Sequence, residues 1–404
     1  MQILALNTGS SSLKFALFEV RQADGAPDGG SHRVERIRHG AIEGIGRTPS
    51  AIHVSAAGDD ARSLEVEIPD RDAALNWLVT ELDRGGVWSG IAAVGHRIVH
   101  GGREHREPVL VTPRVRDSLE RLIPLAPAHL PGEIAALDAI ARSSPSLPQV
   151  ACFDTAFHAD LPVEARLYGI PRELADAGVV RYGFHGLSYE YVTAELRDRG
   201  QLGARTIVAH LGNGASMAAI ADGRSIDTSM GFTPLGGFVM STRSGDIDPG
   251  ILLYLLNERS MSAGEVAAVV SGSGGLLGIS RTASDMRDLQ ARSASDRRAA
   301  DAIAVFCYQI RKFLGAYVAA LCGLDTLVFT GGIGENSPEI RERICRSLEC
   351  FGIQLDAAAN AAGSPVISRA GSAATVHVVR TDEESMIARH TSRVVLQSGG
   401  ADHD

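Results

Sequence analysis

The chain has 404 residues, a formal charge of −9, and 45% hydrophobic against 22% charged residues. That length exceeds one ordinary core, which predicts two domains or lobes, and the composition is that of a globular protein. The negative balance excludes a nucleic-acid binder working by broad phosphate neutralisation, but not an anionic ligand gripped by a few Arg.

Residues 3–6 form an apolar run that ends in Asn7-Thr8-Gly9-Ser10-Ser11-Ser12, and a second run, residues 13–20, follows at once. The pair predicts a β-hairpin. No basic stretch precedes an apolar core here, so no signal peptide is expected. Residues 23–30, rich in Gly, Asp and Pro, predict a surface loop. Strands are expected near 33–42, 51–56 and 63–68. A helix capped by Asp70 should then run to Leu82, with Ala74, Leu75, Leu78 and Leu82 on one face.

About half a chain length after Ile3-Leu4-Ala5, the run Ile207-Val208-Ala209 again leads into a small-residue turn and another apolar stretch. This half-length repeat predicts two similar lobes, each presenting a hairpin turn. Residues 299–321 should form a long helix, with Ile303, Phe306, Ile310, Phe313, Leu314 and Tyr317 as an apolar stripe for core or dimer packing. Gly323 should stop it. A third glycine turn, Gly331-Gly332-Ile333-Gly334-Glu335-Asn336, follows a strand at 326–330. Ser337 and Pro338 should then open a helix reaching Leu348. The last helix is expected over 383–396, with a disordered tail.

No uncharged apolar stretch reaches the roughly 18 residues of a spanning helix. The cysteines, Cys152, Cys307, Cys322, Cys345 and Cys350, are odd in number and hold no C-x-x-C pair. They read as reduced thiols, not as a disulfide frame or zinc site, and a cytoplasmic location is expected.

Three glycine-containing turns in one chain point to a nucleotide, because backbone N–H groups and hydroxyls can line phosphate oxygens. Lys14 adds a charge to the first turn, which is not a Walker loop, since the Gly-Lys-Ser order and the following helix are absent. Arg97 stands at a strand end before Gly101-Gly102, and Arg243 in the polar loop Ser241-Thr242-Arg243-Ser244-Gly245. Both suit bidentate capture of an anion. His96 and His100 have four-residue spacing, but on a strand or turn their side chains would not converge on a zinc. Asp154 follows an apolar run, and His185 lies between an aromatic residue and glycine.

Seven strings carry a resemblance to the acetate kinase family along nearly the whole chain: residues 7–14, 96–102, 153–158, 182–186, 210–214, 227–235 and 329–337. The resemblance implies an α/β, two-lobed, actin-like ATPase (ribonuclease H-like) fold with a duplicated βββαβαβα core and an active site in the interdomain cleft. Residues 1–150 would form an N-terminal lobe on the acyl and Mg²⁺ side, completed by a C-terminal helix at 384–404. Residues 151–383 would form the nucleotide-binding and dimerisation lobe. The implied activity is reversible phosphoryl transfer from ATP to acetate, giving acetyl phosphate and ADP by direct in-line attack of the carboxylate. Propionate or butyrate is the alternative acid. The implied cofactor is Mg²⁺ or Mn²⁺, and the implied assembly a homodimer, with no nucleic-acid or membrane partner.

By position, the resemblance assigns Asn7 and Glu383 to the metal, and Ser10, Ser12 and Lys14 to the phosphates. His210, Leu211, Gly212, Asn213, Gly214, Asp285, Met286, Arg287, Gly331, Gly332, Ile333, Gly334 and Glu335 would hold the nucleotide. Arg97 would grip the acyl carboxylate, and Val99, Ala128, Phe184 and Pro234 would line the acyl pocket. Arg243 and His185 would stabilise the transferring phosphoryl, His129 is a further active-site residue, and Asp154 is the family's named acid/base. A fatty acid is already ionised near neutral pH, so Asp154 is expected to position Mg²⁺ or an arginine instead.

Two departures stand out. The family's Leu-His-Asn-Pro-Pro-Asn is Ala128-His129-Leu130-Pro131-Gly132-Glu133 here, which predicts a roomier acyl pocket. Tyr189 occupies a place where the family commonly has His. The rival reading of another class is a non-catalytic nucleotide switch like an actin or Hsp70 ATPase lobe. Such a switch would not need Arg97, Arg243, His185 and an acyl pocket together.

Overall fold

The computed structural model describes residues 1–9, 12–22, 32–56, 61–84 and 86–400. The chain divides into two compact units: residues 1–156 with the segment from Asp382 onward, and Phe157–Thr381. The expectations for Ser10 and for the 23–30 loop lie outside the described residues.

The first unit holds an eight-stranded sheet built from β1 (Gln2–Thr8), β2 (Ser12–Gln22), β3 (His32–Glu43), β4 (Ser50–Ala56), β5 (Arg62–Val66), β6 (Ile91–Ile98), β7 (Val109–Leu110) and β8 (Gln149–Phe153). Their spatial order is β5-β4-β3-β2-β1-β6-β8-β7. β1 pairs antiparallel with β2 and parallel with β6. Period-2 alternation sends Leu13, Phe15 and Leu17 of β2 to one face, where they meet Leu4, Leu6, Ile42 and Ile52. Helix Arg71–Arg84 covers this face with Ala74, Leu75, Leu78 and Leu82, as its apolar spacing predicts. Asp70 Oδ1 accepts the Ala73 N–H at 2.8 Å, which is the expected cap. Helix Leu130–Ser143 packs beside it.

The opposite face carries the last helix, Glu383–Gly400, against β1, β2, β6 and β8. Its approach requires Gly95, because a Cβ there would lie 2.1 Å from Thr391 Oγ1 and 2.5 Å from Ile387 Cγ2. The helix continues past residue 396 into the segment expected as a disordered tail. No strong breaker intervenes before Gly399 and Gly400, so the final turns propagate from an anchored helix.

The second unit repeats the plan with β9 (Arg205–Leu211), β10 (Ala215–Ala221), β11 (Arg224–Thr228), β12 (Thr326–Thr330) and β13 (Thr375–Val378), in the order β11-β10-β9-β12-β13. β9 pairs antiparallel with β10 and parallel with β12. The run β3-β2-β1-β6-β8 of the first sheet has the same order and senses, so the half-length repeat seen in the sequence is a repeat of topology. Helix Gly186–Asp198 packs Tyr189, Val192 and Leu196 against Val208, Ala218, Ile220 and Val328.

Helix Arg297–Ala320 is long and apolar enough to cross a membrane by length and composition. Its residues Ile303, Phe306, Ile310, Leu314 and Tyr317 are buried in the second unit, so the stripe is core. Phe313 is only partly buried. Gly323 at φ +136° follows the helix end.

Three expectations near residue 337 need correction. Residues Gly331–Asn336 are a helical turn, not a loop, and the next helix, Pro338–Cys345, stops before Leu348. Ser337 does not cap it; its hydroxyl donates to Gln290 Oε1 at 3.1 Å.

Candidate active site

In the first unit, Asn7, Arg97 and Asp154 lie at the carboxyl ends of three adjacent parallel strands, β1, β6 and β8. The ladder sets this convergence: Arg97 stands opposite Cys152, and the Asp154 N–H donates to Ile98 O at 3.0 Å. The carboxyl edge of such strands is where ligands of α/β folds bind. Arg97 Nε donates to Asp154 Oδ2 at 3.0 Å, its Nη2 donates to the same oxygen, and Nη1 donates to Asn7 Oδ1 at 3.3 Å. Glu383, opening the last helix, accepts from Asn7 Nδ2 at 3.1 Å and approaches Arg97 Nε at 3.9 Å.

Asp154 is fully buried, so its charge is tolerated only because it is paired. Burial opposes the Arg97 charge, but Asp154 and then Glu383 outweigh it and raise the guanidinium pKa above its ordinary range. Arg97 is therefore a fixed cation held by carboxylates.

The other expected residues of this unit are placed less tightly. Val99 is buried, Ala128 is exposed, and His129 is half-buried at the start of helix Leu130–Ser143. Ser12 closes the first hairpin by accepting the Gly9 N–H at its carbonyl, at 2.8 Å. Lys14 is exposed, opposite Asn7 in the ladder. One residue that the sequence reading passed over also belongs here: Glu133, whose Oε2 accepts the Val99 N–H at 3.0 Å. An acid inside the apolar first turns of a helix was the available signal.

In the second unit, His185 and Arg243 flank Gly214 in the β9–β10 turn. A Cβ on Gly214 would lie 3.3 Å from His185 Nε2 and 3.6 Å from Arg243 Nη1. The Arg243 Nη1 group also donates to Pro234 O at 2.9 Å, and Pro234 and Phe184 are buried. His185 adopts the left-handed φ of 60°, uncommon for a residue with a side chain and worth attention at a functional position. Its Nδ1 is hydrogen-bonded to Ser216 Oγ at 2.8 Å, and the same hydroxyl meets Tyr189 OH. Its Nε2 is the ring atom nearest to where a Gly214 Cβ would stand. His185 also stacks on His210, with ring centroids 4.3 Å apart, while His210 Nδ1 is bonded to Ser188 Oγ at 2.8 Å.

The turn His210, Leu211, Gly212, Asn213 and Gly214 lies beside Gly331, because β9 and β12 are parallel with Thr330 opposite His210. Gly331 has φ +76°, and a Cβ there would come 2.8 Å from Leu211 O, so only glycine fits. Gly332 is exposed and Ile333 partly so, whereas Gly334 is buried. The Glu335 carboxylate is used internally: Oε1 accepts the Gly331 N–H at 2.9 Å and the Thr381 N–H at 3.1 Å.

Arg341, which the sequence reading missed, is fully buried. It donates to Gly334 O at 2.8 Å, Glu335 O at 2.9 Å and both oxygens of Asn360. It thereby fixes the far end of the glycine turn. Asp285 caps helix Met286–Arg292 and pairs with exposed Arg287, while Met286 is buried in the core.

Among the described residues no three His, Cys, Asp or Glu side chains group to hold a metal. His96 and His100 are both buried, and the His100 ring accepts the Gly102 N–H. The hard oxygen donors Asn7 and Glu383 fit Mg²⁺, which takes one or two protein ligands and leaves the rest of its shell to phosphate and water.

The sequence matches the acetokinase family over residues 2–389. It is 43% identical to an acetate kinase of Methylocella silvestris, covering 99% of both chains. It is 45% identical to one of Rhodopseudomonas palustris, covering 98% of this chain and 99% of that one. Among solved structures it resembles the Porphyromonas gingivalis acetate kinase with a TM-score of 0.84 at 37% identity, covering 98% and 99% of the two chains. A Francisella tularensis propionate kinase gives 0.88 at 37% identity, covering 97% and 99%. A family match over almost every residue, with two sheets of repeated topology and Arg97, Asp154, His185 and Arg243 at strand ends and glycine turns, has one meaning: the chain belongs to the acetokinase family, with its actin-like α/β ATPase fold.

Proposed function

We propose that the protein transfers the terminal phosphoryl group of ATP to acetate, reversibly, forming acetyl phosphate and ADP. The observation that carries this reading is the Arg97 guanidinium, fixed by Asp154 and Asn7 at the carboxyl edge of the first sheet. Acetate and ATP are both anions, so the reaction needs preorganised positive charge. Arg97 would bind the acetate carboxylate, and Val99 and Ala128 would contribute to the wall around its methyl group. Arg243 Nη1 and His185 Nε2, gathered at Gly214, would stabilise the transferring phosphoryl. Asn7 and Glu383 would hold Mg²⁺, which when bound supplies charge neutralisation to the phosphates.

Asp154 serves Arg97 in this scheme. A carboxylate nucleophile has no proton to lose, and both Arg97 nitrogens that face Asp154 use one of its oxygens. A homodimer is part of the proposal. Helix Pro249–Asn257 buries none of its side chains and exposes Ile251, Leu253, Tyr254 and Leu256, an apolar surface suited to a second copy. None of the five cysteines is disulfide-bonded, and a reducing, cytoplasmic setting is part of the proposal.

The test is a steady-state comparison of acetate, propionate and butyrate with Mg-ATP, trapping the acyl phosphate with hydroxylamine. Acid-dependent ADP formation with trapped acetyl hydroxamate is expected. ADP formation indifferent to every acid would replace this reading with an ATPase switch.

A further inference from the structure

Glu133 occupies the position at which the family pattern has an amide, in the first turns of helix Leu130–Ser143. It is 1% exposed. Oε2 accepts the Val99 N–H at 3.0 Å, while Oε1 is buried and has no hydrogen-bond partner among the described residues. A buried polar atom left unpaired is costly, and a native protein retains one where a ligand or water completes it.

The charged groups facing Glu133 come from three elements. They are Arg97 of β6, Asp154 beyond β8, and Arg71 opening helix Arg71–Arg84. Burial is the largest influence and disfavours the carboxylate. Arg97, the Val99 N–H and Arg71 favour it, and Asp154 opposes it, so the carboxyl is pushed up to about 8. Glu133 is then a neutral acid at pH 7. Because Oε2 accepts from Val99, the proton belongs on Oε1, which becomes a hydrogen-bond donor. A buried acid kept neutral so that it can donate to an oxyanion is an established enzymatic device.

Such a donor answers a specific need. The Arg97 charge is already shared with Asp154 and Glu383. An incoming acyl carboxylate would be a third anion around one guanidinium. A neutral hydroxyl adds attraction without another charge, whereas ionised Glu133 would repel the substrate. We propose that Glu133 is a substrate-binding residue: anchored to Val99 through Oε2, it donates the Oε1 hydroxyl to the acyl carboxylate beside Arg97. This rests on Arg97 and Val99 forming the acyl site.

The test measures the KM for acetate and for ATP from pH 6.5 to 9.5 in the parent, Glu133→Ala, Glu133→Gln and Arg97→Ala. In the parent the acetate KM should climb about tenfold between pH 7 and pH 9 as the donor is lost, while the ATP KM holds. Glu133→Ala should raise the acetate KM roughly tenfold or more at pH 7, the worth of a hydrogen bond to a charged group. Glu133→Gln, which retains a donor and cannot ionise, should rescue most of that loss and abolish the alkaline climb. It also carries the test if the Ala variant fails to fold.

Arg97→Ala separates the two readings. If it leaves the acetate KM unchanged, the acyl-site assignment itself falls. If it raises the acetate KM while Glu133→Ala does not, or while the parent profile stays flat to pH 9, the Glu133 proposal alone is overturned and Oε1 is satisfied by water.

Discussion

A short fatty acid is ionised at neutral pH, so the side chains around it must manage repulsion between anions. Replacing Asp154 by Asn removes the charge that orients Arg97. The expected result is a fall in kcat/KM of about 10²- to 10³-fold, the range seen when one oriented transition-state donor is lost. The alkaline limb should move to lower pH, since Asp154 no longer opposes the Glu133 carboxylate, and no new requirement for base should appear. Recovery at high pH or with exogenous amine or carboxylate bases would instead make Asp154 a base. Ala128 is exposed at the end of the segment before helix Leu130–Ser143, and Ala128→Leu adds three carbons there. That variant should discriminate against propionate relative to acetate by roughly tenfold or more over the parent, because a methylene is worth about 1–3 kcal/mol in a fitted pocket. Competing-substrate assays would show it, and an unchanged ratio would place Ala128 outside the acyl wall. By the resemblance Tyr189 stands where the family commonly has His, and its OH meets the Ser216 hydroxyl that also holds His185. This substitution keeps a polar group within reach of the same serine.

At the level of the element, the glycine turn after β12 carries the clearest prediction. Gly331→Ala would force a Cβ to 2.8 Å from Leu211 O at φ +76°. The turns after β9 and β12, which the family resemblance assigns to the nucleotide, would be pushed apart, raising the ATP KM by about tenfold or more while the acetate KM stays within a factor of about two. Varying each substrate separately checks the split. The strands and their turns were legible in the sequence because alternation, Asn-Gly and Gly-Ser clusters are local signals. The helical turn Gly331–Asn336 was not, since three glycines in six residues argue against helix. It forms because Glu335 ties down the Gly331 N–H from within, and Arg341 binds the carbonyls at the other end. Arg341 and Ser216 were invisible beforehand for the same reason: each acts on residues distant in the chain or on backbone atoms that no motif marks.

On the scale of the whole molecule, each unit has its own acid-sensitive core histidine. Burial lowers His96 in the first unit and His158 in the second to about 4, from an ordinary 6.5. Both are neutral when folded, so the stability they confer is present above pH 6.5 and is lost as pH falls towards 4. Glu133 has the opposite sign. Its folded value of about 8 exceeds its ordinary 4.5, so its contribution is full below pH 4.5 and is lost as pH rises through 8. Thermal unfolding across pH 4–9 should show both acid and alkaline loss, with Glu133→Gln flattening the alkaline limb only. An alkaline limb identical in that variant would assign the loss to other groups. The division into two lobes was readable from the repeat at Ile3 and Ile207, because duplicated topology leaves duplicated hydrophobic patterning. The placement of Glu383 against Asn7 was not derivable from spacing, as 376 positions separate them and only the family pattern linked them.

The first unit takes its opening strands and its closing helix from opposite ends of the polypeptide. During translation the first unit cannot close until Glu383–Gly400 has left the ribosome, although its eight strands emerge long before. Until then Gly95 has no Ile387 or Thr391 to receive, and Arg97 lacks its Glu383 neighbour. Nascent chains stalled before that helix should therefore be cut by protease in the leading segment, and they should be silent as enzymes until released.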